Sequence, residues 1–199
     1  MPEATTKNKI EYGLKNLYLA LLTEADDGKI TWGTPFAVPG AVSLTQQAVG
    51  DSQNIYGDDT VYYTHSTNNG YEGSVNIVML TDDVRTKVFG EEEYAAGQMV
   101  ELTDVKQKRF AMLFECSGDQ KNARHIMYDV SFKRGDVEHK TVEDSMEHAE
   151  FSMDYTARPI RLDDEHLAVK ERIEQGSTKY STVFTAAPTK PTKPAKTSG

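Results

Sequence analysis

Three stretches of this chain alternate apolar and polar residues with a period of two, and that period limits the fold more than any other feature. In Tyr71 to Leu80, Val75, Ile77 and Met79 alternate with Ser74, Asn76 and Val78. In His125 to Lys133, Ile126, Tyr128, Val130 and Phe132 fall on one side, and Phe151 to Ala157 repeats the pattern. Successive side chains point to opposite faces only in a strand, so these stretches predict half-buried sheets. Leu17 to Leu22, Lys29 to Trp32, Ala41 to Thr45, Val61 to Thr64 and Arg109 to Cys116 join them, with a weaker candidate at Met99 to Leu102. Asp26-Asp27-Gly28, Pro39-Gly40, Thr67 to Gly70 and Ser117 to Gln120 supply turn and hairpin signals.

One helix is legible. Thr81 can cap it, Asp82 and Asp83 sit in its first turn, Lys87 in its last and Gly90 just beyond. Val84, Val88 and Phe89 supply its apolar face. About eight strands joined mostly by hairpins, with one helix, predict a mainly β fold, an antiparallel sandwich or barrel with the helix on its flank. At 199 residues the chain suits one domain. Its expected parts are a flexible arm over 1–9, the β domain over 10–185, and a Pro/Thr/Lys tail over 186–199 that cannot bury anything. Within the domain, 46–60 reads as a long polar loop and Glu91 to Lys108 mostly as loop. Leu167 to Gln175 is open between a short helix and an extended arm.

Charge excludes some functions. The net charge is −9, and the last fifteen residues hold three lysines and no acid, so the rest of the chain carries −12. An acidic body argues against ordinary nucleic-acid binding, which needs Lys and Arg on phosphates. Cys116 is the only cysteine, which rules out an intrachain disulfide and an all-cysteine metal cage. The N-terminus lacks an apolar signal region, and no apolar run approaches the ~20 residues of a membrane helix, so a soluble protein made in the cytoplasm is expected.

Candidate chemistry is weak. On a helix His139, Glu143 and Glu147 would align as metal ligands, but their surroundings are charged and turn-like, and a solvated acidic loop explains them better. Glu115, Asp129 and Asp154 offer carboxylate pairs for glycoside chemistry. With 31 acids in the chain, however, some pair always looks suitable. Cys116 follows an apolar strand and has no base identifiable beside it. Tyr62, Tyr63, Tyr71 and Phe110 could stack on single strands, but alternation places them better in a core or an interface. No phosphate loop, nucleophile elbow or dinucleotide fingerprint occurs, and no enzyme, cofactor or metal is expected.

A series of short signatures carries a resemblance. They run from Ile10-Glu11-Tyr12-Gly13-Leu14-Lys15-Asn16-Leu17-Tyr18 through Val38-Pro39-Gly40-Ala41-Val42-Ser43-Leu44 to Asn69-Gly70-Tyr71-Glu72-Gly73. Phe110 to Glu115, Arg124 to Tyr128, Val137 to Thr141 and Tyr180 to Phe184 continue the order over about residues 9 to 185. Taken together the chain resembles the major tail proteins of long noncontractile-tailed bacteriophages, the siphophages. It departs from them in ending on Val183-Phe184, where an aromatic pair headed by tryptophan is commoner, and in its Pro-Thr-Lys tail.

The resemblance implies a β-sandwich or barrel with a flanking helix, whose subunits form homohexameric rings that stack into the tail tube. It implies a structural virion protein, assembled in the host cytoplasm with tape-measure, tail-tip and tail-terminator proteins. Genome DNA would pass through the lumen without specific binding. The arm and the 46–60 loop, with Gln46, Asp51, Asn54, Tyr56, Asp58 and Asp59, would bridge adjacent rings. An acidic lumen repels DNA within a Debye length of about 8 Å, and Asp129 and Asp154 are the candidate lumen acids. The rival readings are a β-sandwich binding module of the tail tip recognising carbohydrate or host surface, and a carboxylate-based hydrolase.

Overall fold

The alternating stretches become strands of one large antiparallel sheet in the computed structural model, which describes residues 13–50, 52–57, 60–117, 119, 121–134, 150–163 and 165–193. In chain order these are β1 (Leu14–Glu24), β2 (Ile30–Trp32), β3 (Phe36–Ala37), β4 (Ala41–Leu44), β5 (Gln47–Val49), β6 (Ser52–Gly57), β7 (Thr60–Ser66) and β8 (Gly70–Ile77). There follow β9 (Glu92–Ala95), β10 (Gln98–Val100), β11 (Arg109–Cys116), β12 (Arg124–Arg134), β13 (Phe151–Ala157), β14 (Ile160–Arg161), β15 (Leu167–Ala168) and β16 (Lys170–Ile173). The main sheet runs β2-β1-β11-β12-β13-β8-β4, with β3, β5 and β16 attached to β1, β8 and β12. More strands exist than the eight or so expected. Most of the additional ones are two to four residues long, too short to display a period.

Two bulges turn this single sheet into a structure with two cores. Between Lys15 and Tyr18, β1 gains a residue against β11, and Asn16 takes the bulge with φ of 51° and its amide on Glu115. Between Met127 and Val130, β12 does the same against Phe110 and Met112. A bulge inverts the in/out alternation. Ile126 and Tyr128 therefore face one core, whereas Val130 and Phe132, which share their parity in the sequence, join the other. At the same point β12 changes neighbours, pairing with β16 over Arg124 to Met127 and with β13 over Val130 to Arg134. All of β12 from His125 to Phe132 is consequently buried, although its sequence suggests one wet face.

The larger core lies between the curled halves of the sheet and the helix, around Leu19, Val75, Ile77, Phe110, Met112 and Met153. The smaller lies on the other face of β1, β11 and β12, where Trp32 donates its indole N–H to the Tyr128 carbonyl at 2.9 Å. The helix stands where the residues place it. Thr81 Oγ1 accepts from the Val84 N–H, Lys87 pairs with Asp83 at 3.1 Å, and Gly90 ends it in the left-handed region. α1 (Asp82–Val84) widens into a π-turn over Arg85–Phe89, and Val84, Val88 and Phe89 are buried. Met79 departs from expectation: β8 stops at Ile77 and Met79 is exposed.

The C-terminal part also departs from it. Leu167 to Gln175 holds the two short strands β15 and β16 and no helix. The part of the expected disordered tail that is described, 186–193, lies against the domain with Pro188 buried. Its docking begins upstream. Arg124 sits over the rings of Tyr180 and Phe184 at 4.1 and 4.5 Å, and Tyr18 stacks on Phe184. Lys179 Nζ then reaches Glu171 at 2.6 Å and the Thr189 carbonyl at 3.0 Å. The tail composition gives no hint of this because every partner lies elsewhere in the chain.

Candidate functional surface

The described residues of 46–60 are mostly strand rather than loop. β5 pairs with β8 from Gln47↔Glu72 to Val49↔Gly70, and the Asn69 N–H donates to the Val49 carbonyl at 2.7 Å. Beyond it β6 pairs with β7 from Ser52↔Ser66 to Gly57↔Thr60. The chain thus leaves the sheet on β5–β6 and returns on β7–β8 as a two-stranded arm. Thr67 to Gly70 is therefore the re-entry of that arm, not the hairpin turn its residues suggest. The expected strand at Val61 to Thr64 falls within β7, whereas Ser52 to Gly57 lacks the alternation that reveals the other strands.

The root of the arm is fixed by a close approach. Thr45 falls between β4 and β5, opposite Gly73 and Ser74, and its carbonyl points into the sheet. A Cβ built on Gly73 would lie 2.0 Å from that oxygen. Tyr155, directly across from Gly73, donates its hydroxyl to the same carbonyl at 2.8 Å. Thr45 itself is exposed, but the phenol gives its carbonyl a part-buried partner. Burial raises the pKa of Tyr155 well above that of an ordinary tyrosine. Thr45 Oγ1 also accepts from the Ser74 N–H at 2.8 Å.

The opposite face of β8 and β13 is polar. The register brings Ser152 beside Asn76, Asp154 beside Ser74 and Thr156 beside Glu72, with Lys133 next to Asp154 on β12. Asp154 and Glu72 are exposed. A shallow recess of about 340 Å³ opens here, lined by Thr45, Glu72, Gly73, Ser74, Lys133, Asp154, Tyr155 and Thr156. The surface combines short hydroxyls with two exposed acids and one lysine, and Tyr155 is the aromatic residue in the lining of the recess.

The other candidate residues fall as follows. Asp129 is corrected: it is 2% exposed. Arg109 donates to both its oxygens, from Nε at 2.8 Å and from a terminal nitrogen at 2.5 Å, and also reaches Glu24. It is a buried ion-pair member rather than a free surface charge, because the bulge turns it inward. Glu115 is engaged by Arg124, Lys15 and Asn16, so it and Asp129 are committed separately and Asp154 stands apart from both. Gln46 is exposed and accepts from Lys170 Nζ at 2.9 Å. Asn54 pairs with Thr64 and Tyr56 with Val61 in the β6–β7 ladder. Asp51, Asp58, Asp59, His139, Glu143 and Glu147 lie outside the described residues, as do the side chains of Tyr62 and Tyr63. Phe110 is a core residue and Tyr71 packs half-buried against the same core.

Among the described residues no group of three His, Cys, Asp or Glu could hold a metal ion, and no helix is long and apolar enough to cross a membrane. Sequence reasoning missed the Arg109–Asp129–Glu24 network and the Thr45–Tyr155 contact. Both join residues far apart in the chain and leave no local signal. No protein-family model matches the chain, and no curated protein matches it in a sequence comparison.

Proposed function

We propose that this chain is the subunit of a siphophage tail tube, a structural protein that forms stacked, hexameric rings through which the genome leaves. The observation that supports this best is the two-stranded arm. The β5–β8 ladder carries on into β6–β7 beyond the sheet, and a ribbon extended from a curled sheet is suited to reach a neighbouring copy. Its strands leave edge hydrogen-bonding groups that another subunit can satisfy. Tape-measure, tail-tip and tail-terminator proteins are the further partners of such a subunit. Electron microscopy of the purified protein over a concentration series tests the reading. Rings or hollow tubes are the expected result; particles that stay monomeric even with a tail-tip initiator present would overturn it.

The polar face of β8 and β13 is the part of the molecule suited to a lumen, because Glu72 and Asp154 are free acids on a surface of short side chains. Converting both to lysine is expected to leave the melting temperature within about 2 °C, as exposed substitutions do. In a tube the same change should slow genome ejection. Ejection at the unaltered rate would place this face on the outside.

A further inference from the structure

Two glycines stand at the ends of the arm, Gly50 where the chain leaves β5 and Gly70 where it re-enters β8. Glycines at both ends of a ribbon ordinarily read as a hinge, because glycine adopts conformations closed to other residues. Here they have the opposite role. The φ of Gly50 lies outside the left-handed region, so its backbone conformation is open to any residue. What the position lacks is room. A Cβ built on Gly50 would lie 1.9 Å from the Thr67 carbonyl oxygen and 3.1 Å from its carbon, with the Asn68 Cα at 3.6 Å. The outgoing and returning chains therefore cross backbone on backbone, with no side chain of Gly50 between them.

The same packing recurs at two further points. A Cβ on Gly70 would lie 2.0 Å from the oxygen of Ala157, the last residue of β13, as one on Gly73 would from that of Thr45. Hydrogen bonds tie the crossings together. The Asn69 N–H donates to the Val49 carbonyl at 2.7 Å, the Gly70 N–H to Asn68 Oδ1 at 3.1 Å, and the Thr45 N–H to the Ser74 carbonyl at 2.9 Å. A hinge absorbs large changes in φ and ψ at a few residues. Rotation at Gly50 or Gly70 would instead drive one backbone into another or pull these bonds apart.

We propose that the β6–β7 arm is a rigid lever whose direction is fixed against β8 and β13 in the isolated chain by the three glycine crossings at its root. Gly50 is then a spacing residue that lets the two chains close on each other, not a pivot. This holds for a single chain and stands apart from the tube reading. Under that reading, a neighbouring copy meets an arm already aimed, and docking avoids most of the ordering cost that a flexible loop incurs.

Distances between two nitroxide labels, measured by double electron–electron resonance, read the direction of the arm. The labels go on Asn54→Cys in β6 and on Leu167→Cys in β15, where Leu167 is 66% exposed. Cys116→Ser removes the one native thiol, and dilution with unlabelled full-length chain restricts the signal to distances within one copy. The expected distribution is a single narrow peak that Gly50→Ala broadens severalfold. Trp32 emission should stay unchanged in that variant, because Gly50 belongs to neither core. The Asn69 amide should exchange roughly a hundred-fold more slowly than in an open chain, and Gly50→Ala should abolish that protection. Should Gly50→Ala fold poorly, the wild-type distribution and the Asn69 protection decide by themselves. A broad or multiple wild-type distribution overturns the proposal, as does an unprotected Asn69 amide or a Gly50→Ala arm as narrowly distributed as the wild type.

Discussion

Gly73→Ala is expected to cost the domain about 3 kcal/mol or more, far beyond what its place in a strand suggests. The added carbon would fall 2.0 Å from the Thr45 oxygen and 2.8 Å from its carbonyl carbon, so backbone must move. Displacing Thr45 also breaks the Tyr155 hydrogen bond and the Thr45–Ser74 contacts at the root of the arm. Gly97→Ala provides the comparison. Its φ is +77°, yet nothing lies within 4 Å of its added carbon, so only conformational strain is felt, about 1 kcal/mol. Urea unfolding of the two variants separates close approach from backbone strain. If Gly73→Ala costs no more than Gly97→Ala, Thr45 can give way freely and the arm root is softer than its geometry implies.

The contrast between these glycines shows what was legible in the sequence. Gly73 is readable as a turn or bulge residue, but the reason for it, a carbonyl arriving from 28 positions earlier in the chain, is a tertiary fact. β13, which buries one face, is read to the residue because burial imprints the period of two, and β8 is read the same way except past Ile77, where the expected run overshoots. β12 misleads for a physical reason. Its bulge lets Tyr128 and Val130 serve opposite cores, and apolar residues on both faces hide the switch. The helix is legible because caps and charges act within one turn, as Thr81 and Gly90 do. Of the arm only β7 is legible, through Val61 to Thr64, because β6 carries no alternation of apolar and polar residues.

The candidate surface divides in the same way. Asp154 is readable as an outward acid because its neighbours Met153 and Tyr155 are buried. Asp129 follows the same alternation and fails it, since the inversion at the β12 bulge turns it toward Arg109. Acidic composition identifies a charge balance, not which carboxylates remain free. Of the candidate acids on regular strands, the two held by arginines maintain the sheet and the unclaimed one faces solvent.

Arg109→Met should be among the most damaging single changes on the central strands β11 and β12, costing about 3–5 kcal/mol. Arg109 is itself partly exposed, with a side chain 30% accessible, whereas that of Asp129 is 3% accessible. Losing the arginine would therefore strand a carboxylate that has no water to replace its two hydrogen bonds. Asp129 and its bonds to Arg109 raise the guanidinium pKa. Asp129→Leu should cost less, because Arg109 keeps Glu24 and part of its hydration. The double variant Arg109→Met/Asp129→Leu should recover most of the loss, because an apolar pair at the bulge avoids the desolvation that the ion pair must offset. Urea midpoints of the three variants form a double-mutant cycle with a coupling of about 2 kcal/mol or more. A coupling near zero would mean that Asp129 is solvated in the working protein. It would then return as a candidate for the charged face from which its burial now removes it.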